Sequence, residues 1–401
     1  MSFRSALLQG LDYVLLVDLA FFMGLGIIDK KISKVCFCIA LSVFIVIKLL
    51  RAGKRFFSAF LENTPLNLPI FLFLLSSALS VFISPSGDHA QEIWLWRYVP
   101  YFFFFHFGAY LGKREPFFKC LLIAFLTGVV IVSLGGIRDV WVAKQFSRMF
   151  TSFGSISLFG AADYFLYSLP FFIAVSIYHA KVPVRLLATL AVVPVLVAFF
   201  YHYARNTWIA LPLAVLIVAF LNDKKKSVPL IILITYISVV FFIPLLRTRL
   251  FSLETISPGT WGRINIWKAA FTIFTQYPVF GAGPGSCELI MRQMVSSAEV
   301  YKDVTLHAHP HNMYLEIMAE TGLVGLVTFL SIFVVYFKHI IAEFKRRFNL
   351  IHCAFLIMVI SVLIAELVSS SILVGVYLAS LFWFMMGLSL GWYAHTRVPK
   401  E

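Results

Sequence analysis

Long apolar runs separated by short polar connections fill the chain from end to end. Many of these runs reach about 18 residues, the length that an α-helix needs to cross about 30 Å of hydrocarbon. The pattern therefore predicts about twelve transmembrane helices. They fall near residues 11–28, 33–50, 67–84, 93–112, 117–135, 161–179, 183–201, 206–222, 227–246, 313–337, 351–370 and 373–394.

Two connections are longer than ordinary turns. Residues 136–160 form one, and residues 247–312, between predicted helices 9 and 10, form the largest polar segment of the chain. Long ordered loops usually carry function. Within the larger one, residues 263–277 are rich in Ile, Trp and Phe, which predicts a helix at the membrane interface or packed on the bundle. Since nothing resembles a soluble domain, residues 1–401 are predicted to form one membrane domain.

Composition supports this class. Apolar residues make up 61% of the 401 positions and charged residues only 13%, whereas soluble proteins carry about twice that charged fraction. We therefore expect an all-α polytopic membrane protein. The first apolar run contains Asp12 and Asp18 and lacks a small-residue cleavage site, so we expect it to remain as a span and not to be a cleaved signal peptide.

The net charge of +14 has two possible explanations, nucleic-acid binding or membrane orientation. The basic residues cluster between apolar runs and form no stripe with aromatics, which favours orientation and predicts no nucleic-acid partner. They occupy alternate connections, so the positive-inside rule places these connections and both termini in the cytoplasm and the 247–312 loop outside. The basic residues are Lys48, Arg51, Lys54, Arg55, Lys113, Arg114, Lys119, Lys181, Arg185, Lys224, Lys225, Lys226, Lys338, Lys345, Arg346 and Arg347. The 29–31 connection, with Lys30 and Lys31, departs from the rule.

Three sites on the predicted outward face combine charged and polar residues. Arg205 lies in the short connection between predicted helices 7 and 8, and Arg263 begins the helix of the large loop. The segment His307-Ala308-His309-Pro310-His311-Asn312 leads into the tenth predicted span. Each site alone has an ordinary structural explanation, such as an arginine reaching the headgroups. Their presence on one face predicts a chemical site.

Two chemistries compete for the histidines. His307, His309 and His311 could bind zinc with Glu316 or Glu320, since alternate residues of a strand share a face. Pro310 interrupts such a strand, and the neighbouring arginines would repel a cation. Alternatively, one neutral histidine acts as a general base while the arginines bind an anion through paired hydrogen bonds. We favour this second chemistry, with a lipid-linked diphosphate as the anion.

The glycine-rich stretch 281–285 also has two interpretations. It could cradle a phosphate, or it could be a plain turn. Pro284 lacks a backbone N–H and no strand precedes the stretch, so the turn is favoured.

A family resemblance appears at these motifs. His311-Asn312, nine residues, and then Gly322-Leu323-Val324-Gly325 resemble the H-N-x9-G-x-x-G signature of the O-antigen ligase and polymerase superfamily. Arg205 in ARNTWIAL is similar to its first arginine motif, and Arg263 in GRINIWKAAFTIFTQYPVFGAGPGS to its second.

The resemblance implies a metal-independent, inverting glycosyltransferase of the C type, without a cofactor, in the bacterial inner membrane. Its donor would be a glycan on undecaprenyl diphosphate, and its acceptor a hydroxyl of the lipid A–core oligosaccharide, with the site facing the periplasm. His311 would be the base, and Arg205 and Arg263 would stabilise the departing diphosphate. Other residues expected to assist substrate binding are His309, Asn312, Arg97, Lys268 and Glu320.

Two alternatives stay open at this stage. A polymerase that joins repeat units on the same carrier uses similar motifs. A transporter of lipid-linked sugar is less favoured, because transporters usually bind near the bilayer midplane and show internal repeats. The sequence assigns no role to four acids, Asp12, Asp18, Asp163 and Glu366.

Overall fold

The computed structural model is almost entirely helical over the residues that it describes. These are residues 3–25, 30–52, 61–143, 152–153, 156–157, 162–179, 181–202, 204–221, 247, 257–297, 309–346, 349–374 and 376–397. In chain order the α-helices are α1 (Phe3–Leu25), α2 (Lys30–Ala52), α3 (Asn67–Ile83), α4 (Gly87–Ile93), α5 (Val99–Gly112), α6 (Glu115–Ala143), α7 (Ala162–Tyr178), α8 (Val182–Tyr201), α9 (Arg205–Leu221), α10 (Ser257–Gln276), α11 (Ser286–Ser297), α12 (Met313–Arg346), α13 (Leu350–Ala365), α14 (Ser371–Val374) and α15 (Val376–Arg397).

The predicted spans fall on helices where the structure describes them, although the helix of the eleventh predicted span ends at Ala365, before the predicted end at residue 370. The ninth span, 227–246, lies outside the described residues. The fourth begins in a π-helical segment, Trp94–Tyr98, which joins α4 to α5. One small departure from an all-α fold is a two-residue antiparallel pairing of Ser152–Phe153 (β1) with Ile156–Ser157 (β2), inside the predicted 136–160 connection.

The helices have the properties of a membrane protein. Among the described residues, the segments Arg4–Gly24, Glu115–Arg138, Val182–Tyr201 and Met313–Arg346 are long and apolar enough to cross a bilayer, and four shorter apolar helices accompany them. Large apolar side chains also point outward, such as Phe82 with 86% exposure and Leu190 with 71%. The expectation of a helical membrane protein is confirmed, while the number of twelve spans and their orientation remain predictions.

The tightest helix pair, α5 with α15, depends on small residues. A Cβ atom added to Gly108 would lie 2.1 Å from the carbonyl oxygen of Phe384, and one added to Gly387 would lie 1.9 Å from that of Phe105. Without side chains at these positions the two backbones touch, which is a common way for helices to associate inside membranes.

Two acids neutralise basic residues of the predicted cytoplasmic connections. Asp12 Oδ2 accepts from Arg51 at 2.8 Å and from Arg114 at 2.7 Å. Glu62 pairs with Lys48 at 2.6 Å and also with Lys113. Burial alone would raise the pKa of Glu62, but hydrogen bonds from Lys113 and Lys48 outweigh burial and lower that pKa. Asp12, unassigned from the sequence, thus has a structural role.

Helices α10 and α11 belong to the long 247–312 segment, so its predicted helix is present. They bury a small apolar core of their own against the first turns of α12, containing Ile266, Ala270, Ile273, Cys287, Met291 and Ala319. Because this core rests on α12, the loop helices and the histidine segment 309–311 lie next to one another.

Candidate active site

Helix α12 begins at Met313, two residues after His311, and Asn312 caps it. The side-chain Oδ1 of Asn312 accepts the N–H of Leu315 at 3.0 Å, and its carbonyl accepts the N–H of Glu316 at 3.0 Å. Such caps satisfy the first N–H groups of a helix. The N–H of Met313 is also held, by the carbonyl oxygens of Glu366 and Ser369. The start of α12 is therefore held on two sides.

His311 has a backbone conformation that is rare outside glycine. Its φ is 49°, and no other non-glycine residue in the described part of the chain has a positive φ. Non-glycine residues in the left-handed region cost free energy and concentrate at functional sites. The neighbouring Pro310 is anchored, because its carbonyl accepts the indole N–H of Trp267 at 2.9 Å. The segment is thus held in place from α10 and from α12.

His309 lies between two carboxylates. Its Nδ1 is 3.3 Å from Glu316 Oε1, and its Nε2 is 3.5 Å from Glu288 Oε2. Burial alone would lower the pKa of His309, but the hydrogen bond to Glu316 and the charges of Glu316, Glu288 and Glu320 raise it above the ordinary value. Glu288 is also paired with Arg292 at 2.7 Å.

Glu320 holds three elements together. Its carbonyl oxygen accepts Ser80 Oγ at 2.6 Å and the N–H of Gly283 at 2.9 Å. Its carboxylate accepts the hydroxyl of Tyr98 at 3.4 Å. Arg97, in the same π-helical segment, lies near enough for its charge to act on this carboxylate. Short π-helical segments within α-helices are frequently found at functional sites.

The glycine-rich stretch 281–285 is a structural turn packed on a kink in α12. The kink lies at Gly322, with φ 66° and ψ −169°. The N–H groups of Gly281, Ala282 and Gly283 donate to the carbonyl oxygens of Tyr277, Ala319 and Glu320. Since those donors serve the protein itself, they are not available to cradle a phosphate. The turn predicted from sequence is the better interpretation.

The predicted cations occupy different elements. Arg263 is exposed on α10, one turn before Trp267, and Lys268 is exposed on the same helix. Arg97 is half-buried beside Tyr98 and forms no ion pair with the described residues. Arg205 is the first residue of α9, half-buried, and α9 packs mainly on α13. Four of the predicted residues lie around the first turns of α12: His309, Asn312, Glu320 and Arg97. The helix that carries Arg263 is attached to this group through Trp267. The approach of Arg205 to the group remains a prediction.

Sequence reasoning missed Glu288, Trp267 and Tyr98, since each acquires its partner only through tertiary packing. The zinc alternative needs His307, which lies outside the described residues. Among the described residues, no group of three or more His, Cys, Asp and Glu side chains is arranged to hold a metal ion.

Part of the chain is similar to known proteins. Residues 190–330 match the family model described as O-antigen ligase, a segment that contains both arginine motifs and the H-N-x9-G-x-x-G signature. The chain is also similar to an uncharacterized protein of Haemophilus influenzae, with 25% identity over 146 residues. That alignment covers 32% of this chain and 37% of the relative, so the chain spans little more than a third of the relative's length. Over residues 190–330, about a third of the chain, the sequence is therefore similar to the O-antigen ligase family.

Proposed function

We propose that this protein is an inverting, metal-independent glycosyltransferase that acts as an O-antigen ligase. It transfers a glycan from undecaprenyl diphosphate to a sugar hydroxyl of the lipid A–core oligosaccharide, at the periplasmic face of a bacterial inner membrane. The family match supports ligase or polymerase chemistry. The observation that carries the proposal is the rigid placement of His311 between the anchored Pro310 and the helix cap Asn312.

The proposed reaction is a single displacement. The acceptor hydroxyl loses its proton to His311 while its oxygen forms a bond to the anomeric carbon. The bond from that carbon to the diphosphate oxygen breaks, and undecaprenyl diphosphate leaves with the electron pair. A positioned base typically contributes about 10²–10⁴-fold to the rate.

The contacts of His309 do not suit a general base. Both ring nitrogens of His309 face carboxylates, Nδ1 toward Glu316 and Nε2 toward Glu288. A base needs a free lone pair directed at the hydroxyl that it deprotonates. His309 therefore has a different task.

Arg205 and Arg263 are proposed to stabilise charge on the departing diphosphate. Guanidinium groups bind phosphate oxygens through paired hydrogen bonds, and stabilisation that grows as charge develops lowers the barrier. Lys268 lies next to Trp267 on the Arg263 helix, and Arg97 lies beside Glu320, so each can add positive charge at the substrate.

Reconstitution tests the function. Purified protein in bilayers receives a lipid-linked glycan together with lipid A–core and a second lipid-linked unit as competing acceptors. We expect glycan on lipid A–core without added nucleotide or an ion gradient. Elongation of the lipid-linked unit would instead identify a polymerase, and movement of the lipid without a covalent product would identify a transporter.

Substitutions then test the residues. His311→Ala and Arg263→Ala should insert in the membrane yet lose transfer, Arg263→Ala by about 10²–10³-fold. His339→Ala is the matched control, because His339 lies on the far half of α12, where its ring contacts the carbonyl of Val335 on the same helix. Full transfer by His311→Ala, with His309→Ala inactive, would assign the base to His309.

A further inference from the structure

His309 connects two helices through two carboxylates. Glu288 belongs to α11 and Glu316 to α12, and the two oxygens lie 3.5 Å and 3.3 Å from the two ring nitrogens. A neutral imidazole has one N–H and can donate to only one of them, whereas an imidazolium donates to both. The two contacts therefore favour the protonated, positively charged form of the His309 ring.

Burial gives an independent reason for a cation here. Glu316 is 1% exposed, and its second carboxylate oxygen has no hydrogen-bond partner. A carboxylate so deeply buried is costly unless a positive group accompanies it. Among the ion pairs of the described residues, His309 is the group that contacts Glu316 and is able to carry a positive charge.

The surroundings of His309 are mainly acidic. Glu288 faces it from α11 with its partner Arg292, and Glu316 and Glu320 act on it from α12. Glu316 follows His311 by five residues along the chain, and its negative charge would favour a proton on that ring as well. A protonated His311 cannot accept a proton from a sugar hydroxyl, so the site needs a compensating positive charge.

We propose that Glu288 and Glu316 hold His309 as a cation beside His311, and that this charge keeps His311 unprotonated and ready to act as the base. His309 and His311 are two residues apart, so their Cα atoms lie within about 7 Å. At that range a neighbouring positive charge opposes protonation. His309 and Glu288 are then positioning residues. The proposal rests on the assignment of His311 as base.

Kinetics of glycan transfer test the charge directly. Transfer should rise with pH as His311 loses its proton. His309→Gln removes the cation, so the acidic limb of the pH profile should move to higher pH, by on the order of one unit. His309→Lys restores a positive charge and should move the limb back. If the role of His309 were purely structural, His309→Gln should resemble the wild type more closely than His309→Lys does, because glutamine is closer to histidine in shape than lysine is.

Nitrogen NMR of the histidine rings tests the cation without any substrate. In the wild-type protein the His309 signals, identified by their loss in His309→Gln, should be those of an imidazolium at neutral pH. Glu288→Gln should shift its deprotonation to lower pH. Glu115→Gln is the matched control. Like Glu288, Glu115 pairs with a basic residue one turn later, Lys119, and with a histidine, His395, but it lies on α6, away from His309. That variant should leave His309 unchanged.

The outcomes separate the two proposals. A neutral His309 at neutral pH, or an unchanged acidic limb in an active His309→Gln protein, overturns the further inference and leaves the ligase assignment intact. Wild-type protein without transfer activity, but with a charged His309 that responds to Glu288→Gln, overturns the function and retains the carboxylate clamp.

Discussion

The indole nitrogen of Trp267 donates a hydrogen bond to the carbonyl oxygen of Pro310 at 2.9 Å. This single contact ties the loop helix α10, which carries Arg263, to the residue before His311. Two motifs that are far apart in the chain are thereby joined by one side chain. The relationship leads to the first prediction.

Trp267→Phe keeps an aromatic ring but removes the donor. We expect a loss of about 1 kcal/mol in the free energy of unfolding and a fall in transfer on the order of 10–100-fold, because small displacements of catalytic groups are costly. Tyr336→Phe also removes one buried hydrogen bond, to Ser389 at 3.0 Å, on the far half of α12. It should lose similar stability and keep activity. Equal activity in the two variants would show that the Trp267 contact does not position His311.

Gly322→Ala should destabilise the protein and abolish transfer. The backbone of Gly322 lies in a region open almost only to glycine, and an added Cβ would lie 2.2 Å from the carbonyl oxygen of Val279. The cost should be on the order of 2–4 kcal/mol. Gly10→Ala on α1 has open space and should be neutral or slightly stabilising. Thermal unfolding in detergent compares the two, and equal unfolding temperatures would contradict the kink.

Glu62→Ala should cost about 3–5 kcal/mol, because it leaves Lys48 buried without its counter-charge. The pKa of Glu62 is lowered by folding, so its stabilisation is present above the ordinary carboxyl pKa and is lost as the pH falls through the folded value. The free energy of unfolding, measured as a function of pH, should show this loss of stability at acidic pH in the wild type and not in Glu62→Ala. Glu115→Ala removes the more exposed ion pair with Lys119, one helical turn away, and should lower the free energy of unfolding by no more than about 0.5 kcal/mol.

A strong zinc chelator should leave glycan transfer unchanged. The proposed displacement uses His311 and the arginines, and none of its steps passes through a metal ion. Transfer rates with and without chelator, followed by zinc addition, give the measurement. If the chelator abolished transfer and added zinc restored it, the histidine segment, including His307, would instead be a zinc site.

Much of the fold follows from hydropathy. The helices α7, α8 and α13 lie where runs of apolar residues predict spans, because a membrane helix must satisfy every backbone polar group within itself. The loop helix α10 was also predicted, from its aromatic-rich sequence. The kink in α12 was not, since the G-x-x-G motif indicates small residues without indicating which turn packs against them.

The candidate site was only partly predictable. His311, Asn312 and Arg263 were found because the motif spacing marks them. Glu288 escaped notice because an acid paired with an arginine four residues later resembles any solvated helix face. Its contact with His309 depends on how α11 packs on α12.

The order of apolar and polar residues by itself determined a helical membrane protein and the identity of the motifs, because both are properties of neighbours along the chain. Tertiary structure alone decided that His309 lies between Glu288 and Glu316, that the 281–285 turn uses its own N–H groups, and that Trp267 anchors Pro310. Such contacts join residues from separate helices, and packing geometry, which hydropathy does not encode, brings them within hydrogen-bonding distance.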